Sequence, residues 1–232
     1  SLDLSQRRRA RPDVEARIRK ARADAAALLE ARVTMGATPI RPERVIHELE
    51  TLLDANAVLV ADASYSTLWV SIYSTAKAVG QRFLYPRGMA GLGWGLPMAL
   101  GAQVARPEAT VVCVTGDGGF GHVWSELEAA VREQLPVVVV LLNNSTLGFQ
   151  THSELVQFGE HTGAVDFRPV DHTALALACG ADGVRVTTPD EPRSALALAI
   201  ANRRPVLVEV MTDRDAYPPI KAWEARSHVL PG

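Results

Sequence analysis

The 232-residue sequence has only two cysteines, Cys113 and Cys179, so neither a disulfide framework nor a cysteine-ligated iron–sulfur cluster is indicated. It has no apolar run near the ~20 residues that cross a bilayer, and its charged amino end lacks the apolar core of a signal peptide. The net charge of −2 offers nucleic acid no electrostatic attraction. Its six histidines are scattered without the spacing of metal ligands. These absences predict a cytoplasmic protein with no nucleic-acid partner and no membrane association.

What the sequence does contain is the composition of an ordinary α/β domain, with 47% hydrophobic and 22% charged residues. From residue 42 to 210, segments with helical periodicity alternate with short apolar runs rich in valine and leucine. This alternation predicts a doubly wound, mostly parallel sheet with helices on both faces. The predicted helices are 42–53, 68–75, 95–105, 121–134, 173–179 and 192–202, and the predicted strands are 58–61, 82–85, 111–115, 137–142, 183–186 and 205–210.

The amino end differs in composition from the rest of the chain. Arg7, Arg8, Arg9 and Arg11 form a basic run, and the segment from Asp13 to Arg32 is rich in Ala, Glu and Arg. We predict a connector with an amphipathic helix over residues 1–36 and a single domain over residues 37–232. A basic run of this length is more typical of a solvated surface than of a nucleic-acid site.

The most informative motif consists of GDGGF at residues 116–120 and NN at residues 143–144, each directly after a predicted buried strand. Asp117 and Asn144 are 27 positions apart, with a predicted crossover helix between them. Because such crossovers are right-handed, both polar ends should emerge at the carboxyl edge of one sheet, where open α/β folds bind ligands. A carboxylate and an amide oxygen suit Mg²⁺ held against a diphosphate. The loop after Asn144 can turn a backbone carbonyl, that of Thr146, towards the same ion.

The same glycines permit a competing interpretation. Gly116, Gly118 and Gly121 satisfy the dinucleotide fingerprint GxGxxG, with a strand before them and a helix after. The second position of that fingerprint is Asp117 here, and a carboxylate 4 Å from a phosphate charge is repelled by about 4 kcal/mol at an effective dielectric constant of about 20. The next strand ends in asparagine, where the fingerprint expects an acidic residue for the ribose. A purely structural glycine turn is a further alternative.

The combination of motifs resembles the thiamine diphosphate (ThDP) dependent enzymes, and within them the C-terminal (PP) domain that holds the diphosphate. The resemblance runs from about Pro39 to Asp213 and looks closest to the acetohydroxyacid synthase-like branch. A second anchor, GLGWGLPMALGA at residues 91–102, is similar to the family's glycine-rich approach to the cofactor. The resemblance implies the ThDP-binding α/β fold and the cofactors thiamine diphosphate and Mg²⁺. Binding of FAD stays open, because a different domain would carry it.

The resemblance implies a role for each matching residue of the motif. Asp117 and Asn144 would bind the metal ion through their side chains, and Thr146 would bind it through its carbonyl oxygen. Four glycines would lie against the cofactor, namely Gly116, Gly118, Gly119 and Gly148.

The resemblance also implies residues that contact the rest of the cofactor. Leu92 would be the aliphatic wedge that forces the two cofactor rings into a bent conformation, and the carbonyl of Ala90 would accept a hydrogen bond from the pyrimidine 4′-amino group. Ser66 and Thr67 match the loop that touches the diphosphate, where many relatives carry His and Gln. Two alternatives remain for these residues. Leu92 could be an ordinary core leucine, and the two hydroxyl residues could cap a helix that begins near Leu68.

In this family a glutamate on a separate pyrimidine-binding domain activates the cofactor, and no second α/β domain is evident in 232 residues. We therefore expect half an active site, with no catalytic residue of its own and with a pyrimidine-binding domain or subunit as partner in a homo- or hetero-oligomer. The predicted activity is that of a lyase or transferase, an acetolactate synthase-like decarboxylase or carboligase of small 2-oxo acids. The alternatives are a non-catalytic partner domain that supports assembly and an oxidoreductase that passes electrons to iron–sulfur clusters.

The predicted loop from Leu147 to Val156 should lie beside the thiazolium ring of the cofactor. Phe149, Gln150 and His152 are therefore candidates to face a substrate. Acetohydroxyacid synthases usually carry a tryptophan where this chain has Ser153, which argues against acetolactate formation.

Overall fold

The computed structural model describes residues 4–33 and 36–220, and the chain divides into two compact units at residue 35. The first unit contains the helix α1 (Leu4–Val33), which lies within the connector predicted over residues 1–36. Its side chains from 11 to 24 are exposed, and ion pairs between residues four apart, such as Arg11 with Glu15, join them. Pairs of this kind support a solvated helix by a few tenths of a kcal/mol each.

The second unit is built around a parallel sheet. Within residues 36–220 its strands are β1 (Val58–Ala61), β2 (Arg82–Leu84), β3 (Val111–Gly116), β4 (Val138–Asn143), β5 (Asp182–Val186) and β6 (Val206–Met211). They lie in the order β2-β1-β3-β4-β6-β5, and all neighbouring strands are parallel. The central strands β3 and β4 are near-continuous apolar runs, VVCVTG and VVVLLN, as expected for strands covered on both faces.

Helices cover both faces of this sheet. They are α2 (Pro42–Leu52), α3 (Tyr65–Tyr73), α4 (Gly95–Ala105), α5 (Asp117–Phe120), α6 (Glu126–Arg132), α7 (Gly148–Phe158), α8 (His172–Ala178) and α9 (Glu191–Asn202). On one face, Cys113 and Leu141 form a core cluster with Leu96 of α4, Leu127 of α6 and Ala176 of α8. On the other face α2 contacts both α3 and α9, since right-handed crossovers in opposite directions along a sheet place their helices on opposite faces. The predicted fold class is confirmed.

The topology fixes where a ligand crevice should lie. From β1 the chain moves to β2 on one side, whereas from β3 it moves to β4 on the other side. The strand order therefore reverses between β1 and β3, and in open α/β sheets ligands bind outside the carboxyl ends of the strands at this switch point. Within the two described ranges, no helix has both the length and the apolar character needed to cross a membrane.

Two local predictions are wrong. The crossover predicted as one helix over 121–134 is instead the short α5, a turn over residues 121–125, and α6. The loop predicted from Leu147 to Val156 is the helix α7. Gly159 ends that helix in a left-handed conformation with φ of 82°, a common glycine C-cap and the signal that could have revealed it.

Candidate functional site

The loops that follow β3 and β4 lie side by side, because Gly116 and Leu142 are register partners in neighbouring strands. Asp117 follows the first of these strands, and Asn144 follows the second. Both residues line one cavity together with Thr146. The three residues that the sequence predicts as metal ligands therefore meet at a single cavity beside the switch point.

Asp117 is a buried carboxylate, 7% exposed. It accepts a hydrogen bond from the backbone N–H of Gly118 at 3.1 Å, and the backbone N–H of Ser145 lies near enough to lower its pKa. Burial raises the pKa of Asp117 to about 6, although these backbone N–H groups oppose the shift. A neighbouring cation would stabilise the charged form and lower this pKa. The electrostatics of the position therefore favour a bound cation.

We call residues 143–148 the metal loop, after the predicted ligands Asn144 and Thr146. Ser145, between Asn144 and Thr146, adopts a left-handed conformation with φ of 56°, and the N–H of Thr146 donates to Asn144 Oδ1 at 3.3 Å. The buried hydroxyl of Thr146 is hydrogen-bonded to the hydroxyl of Thr151 at 2.8 Å. The carbonyl oxygen of Thr146 accepts the N–H of Gly148 at 3.0 Å, and its second lone pair can still bind a cation.

Two glycines of the motif have no room for a side chain. A Cβ on Gly118 would lie 2.6 Å from Cδ2 of Leu147, and a Cβ on Gly119 would lie 2.2 Å from Oδ2 of Asp62. Both glycines line the same cavity, so their backbone can approach a ligand closely. The two remaining glycines predicted to contact the cofactor, Gly116 and Gly148, line it too.

The Leu92 turn (residues 90–93) also contributes to the lining of this cavity. Ala90 and Gly93 have φ values of 53° and 87°, so the chain bends sharply around Leu92. Leu92 is half-buried and lines the cavity, whereas Ala90 is exposed. Its partial exposure shows that Leu92 is not a fully enclosed core leucine.

Asp62, which sequence reasoning missed, connects this turn to the sheet. It is a buried carboxylate at the end of β1. Its Oδ2 accepts the N–H of Gly93 at 3.0 Å and the hydroxyl of Thr115 at 3.1 Å, and its Oδ1 accepts the N–H of Ala63 at 2.8 Å. The signal in the sequence was an acidic residue directly after an apolar strand.

The residues predicted to touch the diphosphate after β1 lie in different positions. Ser66 is buried and lines the cavity, whereas the hydroxyl of Thr67 donates to the carbonyl of Asp62 at 2.6 Å. The alternative that both cap a helix near Leu68 is wrong, because α3 begins at Tyr65 and both residues lie in its first turn.

The three candidates to face a substrate are also separated. His152 is 1% exposed and its Nδ1 lies 2.7 Å from the hydroxyl of Tyr65. Burial lowers the pKa of His152 to about 4, so it is neutral near pH 7. Phe149 makes an edge contact with Tyr65 at a ring-centroid distance of 5.7 Å, and Gln150 is exposed. Tyr65 lines the cavity and lies between it and His152. Sequence reasoning missed Tyr65.

A second, more apolar cavity adjoins the first and shares Leu92, Asp117 and Leu147 with it. Its lining includes His122, which the sequence did not place in the site, and two exposed aromatic residues, Trp124 and Phe167. The predicted metal ligands Asn144 and Thr146 line the first cavity, whereas Asn143 and Ser145 line the second.

Comparison with known proteins connects this arrangement with one family. Residues 62–210 match the family described as thiamine pyrophosphate enzyme, C-terminal TPP binding domain. The chain is 34% identical over 192 residues to a putative thiamine pyrophosphate-containing protein, YdaP, of Bacillus subtilis, covering 83% of this chain and 33% of that protein. It is 35% identical over 178 residues to the acetolactate synthase isozyme 3 large subunit of Escherichia coli, covering 75% of this chain and 31% of that protein.

A solved structure shows the same similarity. The thiamine diphosphate-dependent 4-hydroxybenzoylformate decarboxylase of Rhodococcus jostii superposes with a TM-score of 0.71 at 28% identity, covering 78% of this chain and 34% of that one. The chain therefore spans about a third of the length of each of these proteins.

Proposed function

The chain belongs to the thiamine pyrophosphate enzymes, as their C-terminal cofactor-binding domain, and from this premise we propose that it binds ThDP and Mg²⁺ within a decarboxylase or carboligase of 2-oxo acids. The observation that carries the proposal is the convergence of Asp117, Asn144 and Thr146 on one cavity, beside the close-approach glycines Gly118 and Gly119. The recognised family is confirmed, and thiamine diphosphate is the cofactor it implies.

The oxygen donors of the cavity fit a magnesium ion that is completed by a diphosphate. Among the described residues, no group of three or more His, Cys, Asp or Glu side chains could hold a metal ion. The site instead offers one carboxylate, one amide oxygen and one carbonyl oxygen, from Asp117, Asn144 and Thr146. Mg²⁺ is commonly held by one or two carboxylates together with substrate phosphates and water. The remaining ligands would then come from the diphosphate and water.

Each part of the chain has a defined task in this proposal. Bound thiamine diphosphate supplies the electron sink for cleaving or forming a carbon–carbon bond next to a carbonyl. The metal loop would hold the ion, and the backbone of Gly118 and Gly119 with the hydroxyl of Ser66 would hold phosphate oxygens. Leu92 would support the cofactor rings, and the carbonyl of Ala90 would accept a hydrogen bond from the cofactor. These groups bind and orient, and none of them moves a proton.

The proposed active site is completed by another domain or subunit, in a homo- or hetero-oligomer. Two observations support this. The chain spans about a third of its relatives, and large apolar side chains beside the site are exposed, with Met89 at 101%, Trp94 at 60% and Trp124 at 42%. Exposed apolar surface of this kind is typical of a protein interface. A pyrimidine-binding domain that carries the activating glutamate is the partner we propose.

The proposed substrates are small 2-oxo acids, because two of the relatives are named for acetolactate synthesis and 4-hydroxybenzoylformate decarboxylation. Phe149 and Gln150, at the start of α7, are the residues proposed to face the substrate. For His152 we propose an indirect part, because it lies behind Tyr65. The alternative of a non-catalytic partner domain predicts no gain of activity with any second domain.

The test is a calorimetric titration of the 232-residue chain with ThDP, first in Mg²⁺ and then in EDTA. We expect binding only when Mg²⁺ is present, since without the ion the diphosphate faces the carboxylate of Asp117. Binding that is indifferent to EDTA would contradict the metal bridge. Activity on 2-oxo acids should appear only after a chain with the pyrimidine-binding domain is added. Turnover by the isolated chain would contradict the proposed division of the site.

A further inference from the structure

A buried polar cluster lies beneath the metal loop, and the proposed function assigns it no task. Its centre is Glu209 of β6, which is completely buried. The carboxylate accepts the Nε–H of Arg185 at 2.8 Å and lies 2.7 Å from Nδ1 of His172. Burial would raise the pKa of Glu209, but the hydrogen bonds from its partners outweigh burial and lower it to about 2.

Glu209 is connected to the metal loop through one side chain. Nδ2 of Asn143 donates to Glu209 Oε1 at 2.8 Å. Because an ionised carboxylate can only accept hydrogen bonds, this contact fixes which way the Asn143 amide points. Its Oδ1 is thereby turned towards the metal loop, where it accepts the N–H of Ser145 at 3.1 Å and the hydroxyl of Ser145 at 3.3 Å.

Ser145 is the residue whose conformation orients the donors on either side of it. Its left-handed backbone, with φ of 56°, is unfavourable for a residue with a Cβ and requires support from the surroundings. Asn144 precedes it and Thr146 follows it. A change at Ser145 would therefore reorient the side chain of Asn144 and the carbonyl of Thr146 together.

We propose that Glu209 is a positioning residue that orients the metal ligands of this domain through Asn143 and Ser145. The inference rests on the proposed function, since it concerns the same metal site. Glu209 lies on β6, two strands away from β3 and its Asp117, and it touches neither the ion nor the cofactor. Arg185 and Thr173 hold Oε2 of the carboxylate, and Oε1 is shared by His172 and Asn143.

The chain offers a matched control for substitution of Glu209. Glu48 of α2 is also a buried carboxylate, 6% exposed, and it also forms two ion pairs, with Arg44 at 2.8 Å and with Arg193 at 2.9 Å. Its partners lie on α2 and α9, away from the metal loop. Glu209→Gln and Glu48→Gln each remove one buried charge, so both should lower thermal stability, and only the first should affect metal binding.

The experiment compares both variants with the unchanged chain in two measurements. The first is titration with ThDP at several Mg²⁺ concentrations, where we expect Glu209→Gln to raise the Mg²⁺ requirement by up to roughly 10-fold. This is the lower end of the effect of losing a direct partner of a metal ligand, because Glu209 acts through two intervening residues. The second is hydrogen exchange of the ligand-free chain, where the amide of Ser145 should exchange faster in Glu209→Gln alone. Glu48→Gln should match the unchanged chain in both measurements.

The outcomes separate this inference from the function on which it rests. If the unchanged chain fails to bind ThDP with Mg²⁺, the proposed function is wrong, and hydrogen exchange at Ser145 still tests whether Glu209 supports the loop. If the unchanged chain binds and Glu209→Gln has the same Mg²⁺ requirement and the same Ser145 exchange, the positioning role is overturned. Equal changes in both variants would also overturn it, because they would reflect general destabilisation.

Discussion

The metal loop and the Leu92 turn reach the same cavity, but the chain holds them in different ways. The metal loop joins directly onto the central strand β4 and is fixed by buried hydrogen bonds at Asn143, Ser145 and Thr146. The Leu92 turn has a half-buried leucine, and its backbone is held to the sheet by the carboxylate of Asp62. The metal loop has buried residues at 143, 146 and 148, whereas in the Leu92 turn only Gly93 is buried and Ala90 is exposed.

This difference suggests how the work of the cofactor site is divided. A metal and a diphosphate need several oxygen and amide groups at fixed distances, and such groups are best fixed by a buried network on rigid strands. The cofactor rings need a surface of complementary shape around them, part of which a second domain can supply. We therefore expect metal and diphosphate binding to be a property of this domain alone, and ring geometry to depend on the assembled protein.

The largest expected effect is at the metal loop, where Asp117→Asn removes the only charge among the proposed ligands. Metal-dependent ThDP binding should weaken by roughly 100-fold or more, as for the loss of one partner of a buried charge pair. The free chain should become more stable at pH 7, because burial raises the pKa of Asp117 to about 6 and its ionised form is therefore destabilising. Calorimetry and thermal unfolding measure the two effects.

The control for this substitution is Asp182→Asn at the opposite edge of the sheet, where Asp182 forms an exposed pair with Arg204. It should change neither quantity. Weakened binding together with a less stable free chain would contradict the electrostatic argument, because the loss could then arise from misfolding.

Gly119→Ala should disturb the Leu92 turn and leave the metal loop unchanged. The added Cβ would lie 2.2 Å from Oδ2 of Asp62, the same oxygen that accepts the N–H of Gly93. We expect destabilisation of about 1 to 3 kcal/mol from overpacking and faster hydrogen exchange at Gly93, with no change at Ser145. Gly101→Ala, in α4 with nothing within 4 Å of the new Cβ, is the control and should be neutral or stabilising. Equal exchange at Gly93 in both variants would show that Asp62 does not hold the turn.

Acid should weaken the support of the metal loop. The pKa of Glu209 lies near 2 in the folded chain against an ordinary value of 4.5. A lowered pKa contributes stability above the unfolded value and loses it as the pH falls towards the folded value. Between pH 5 and pH 3 the contribution should fall by about 2 kcal/mol, and Glu209→Gln should lack this component. Denaturant unfolding at both pH values measures it, and identical losses in the two proteins would contradict the assignment to Glu209.

The fold was largely predictable because the signals were local. The strands β3 and β4 are apolar runs followed by the polar motif, and the observed bounds of α4 match the predicted ones. The GDG and NN motifs placed Asp117 and Asn144 at one edge of the sheet, because parallel strands with a right-handed crossover allow no other arrangement. The resemblance added Leu92, which composition alone would have left in the core.

The remaining site residues depend on contacts between distant segments. Asp62 and Gly93 are 31 residues apart, and Asn143 and Glu209 are 66 apart, so no local pattern identifies these pairs. His152 was expected to face a substrate because it follows the metal loop, but α7 turns it towards Tyr65. A helix where a loop was expected changes which side chains face the cavity.

The smallest effect, and the one that bears most directly on the comparison, is expected for Leu92→Ala. Because Leu92 is half-buried, its truncation should cost less stability than the ~2 to 5 kcal/mol of a fully buried leucine. In the enzyme assembled with its pyrimidine-binding domain, ThDP affinity should stay within about twofold, whereas kcat should fall by roughly tenfold, since a group needed for reaction geometry affects kcat more than binding.

Leu198→Ala, at a leucine that is 63% exposed on α9, is the control and should change neither the ThDP affinity nor kcat. Loss of the fold in Leu92→Ala would mark Leu92 as a core residue. An unchanged kcat with a stable fold would refute the role of Leu92 as a wedge. It would also refute the proposed division of tasks, in which the metal loop binds metal and diphosphate and the Leu92 turn acts on the cofactor rings.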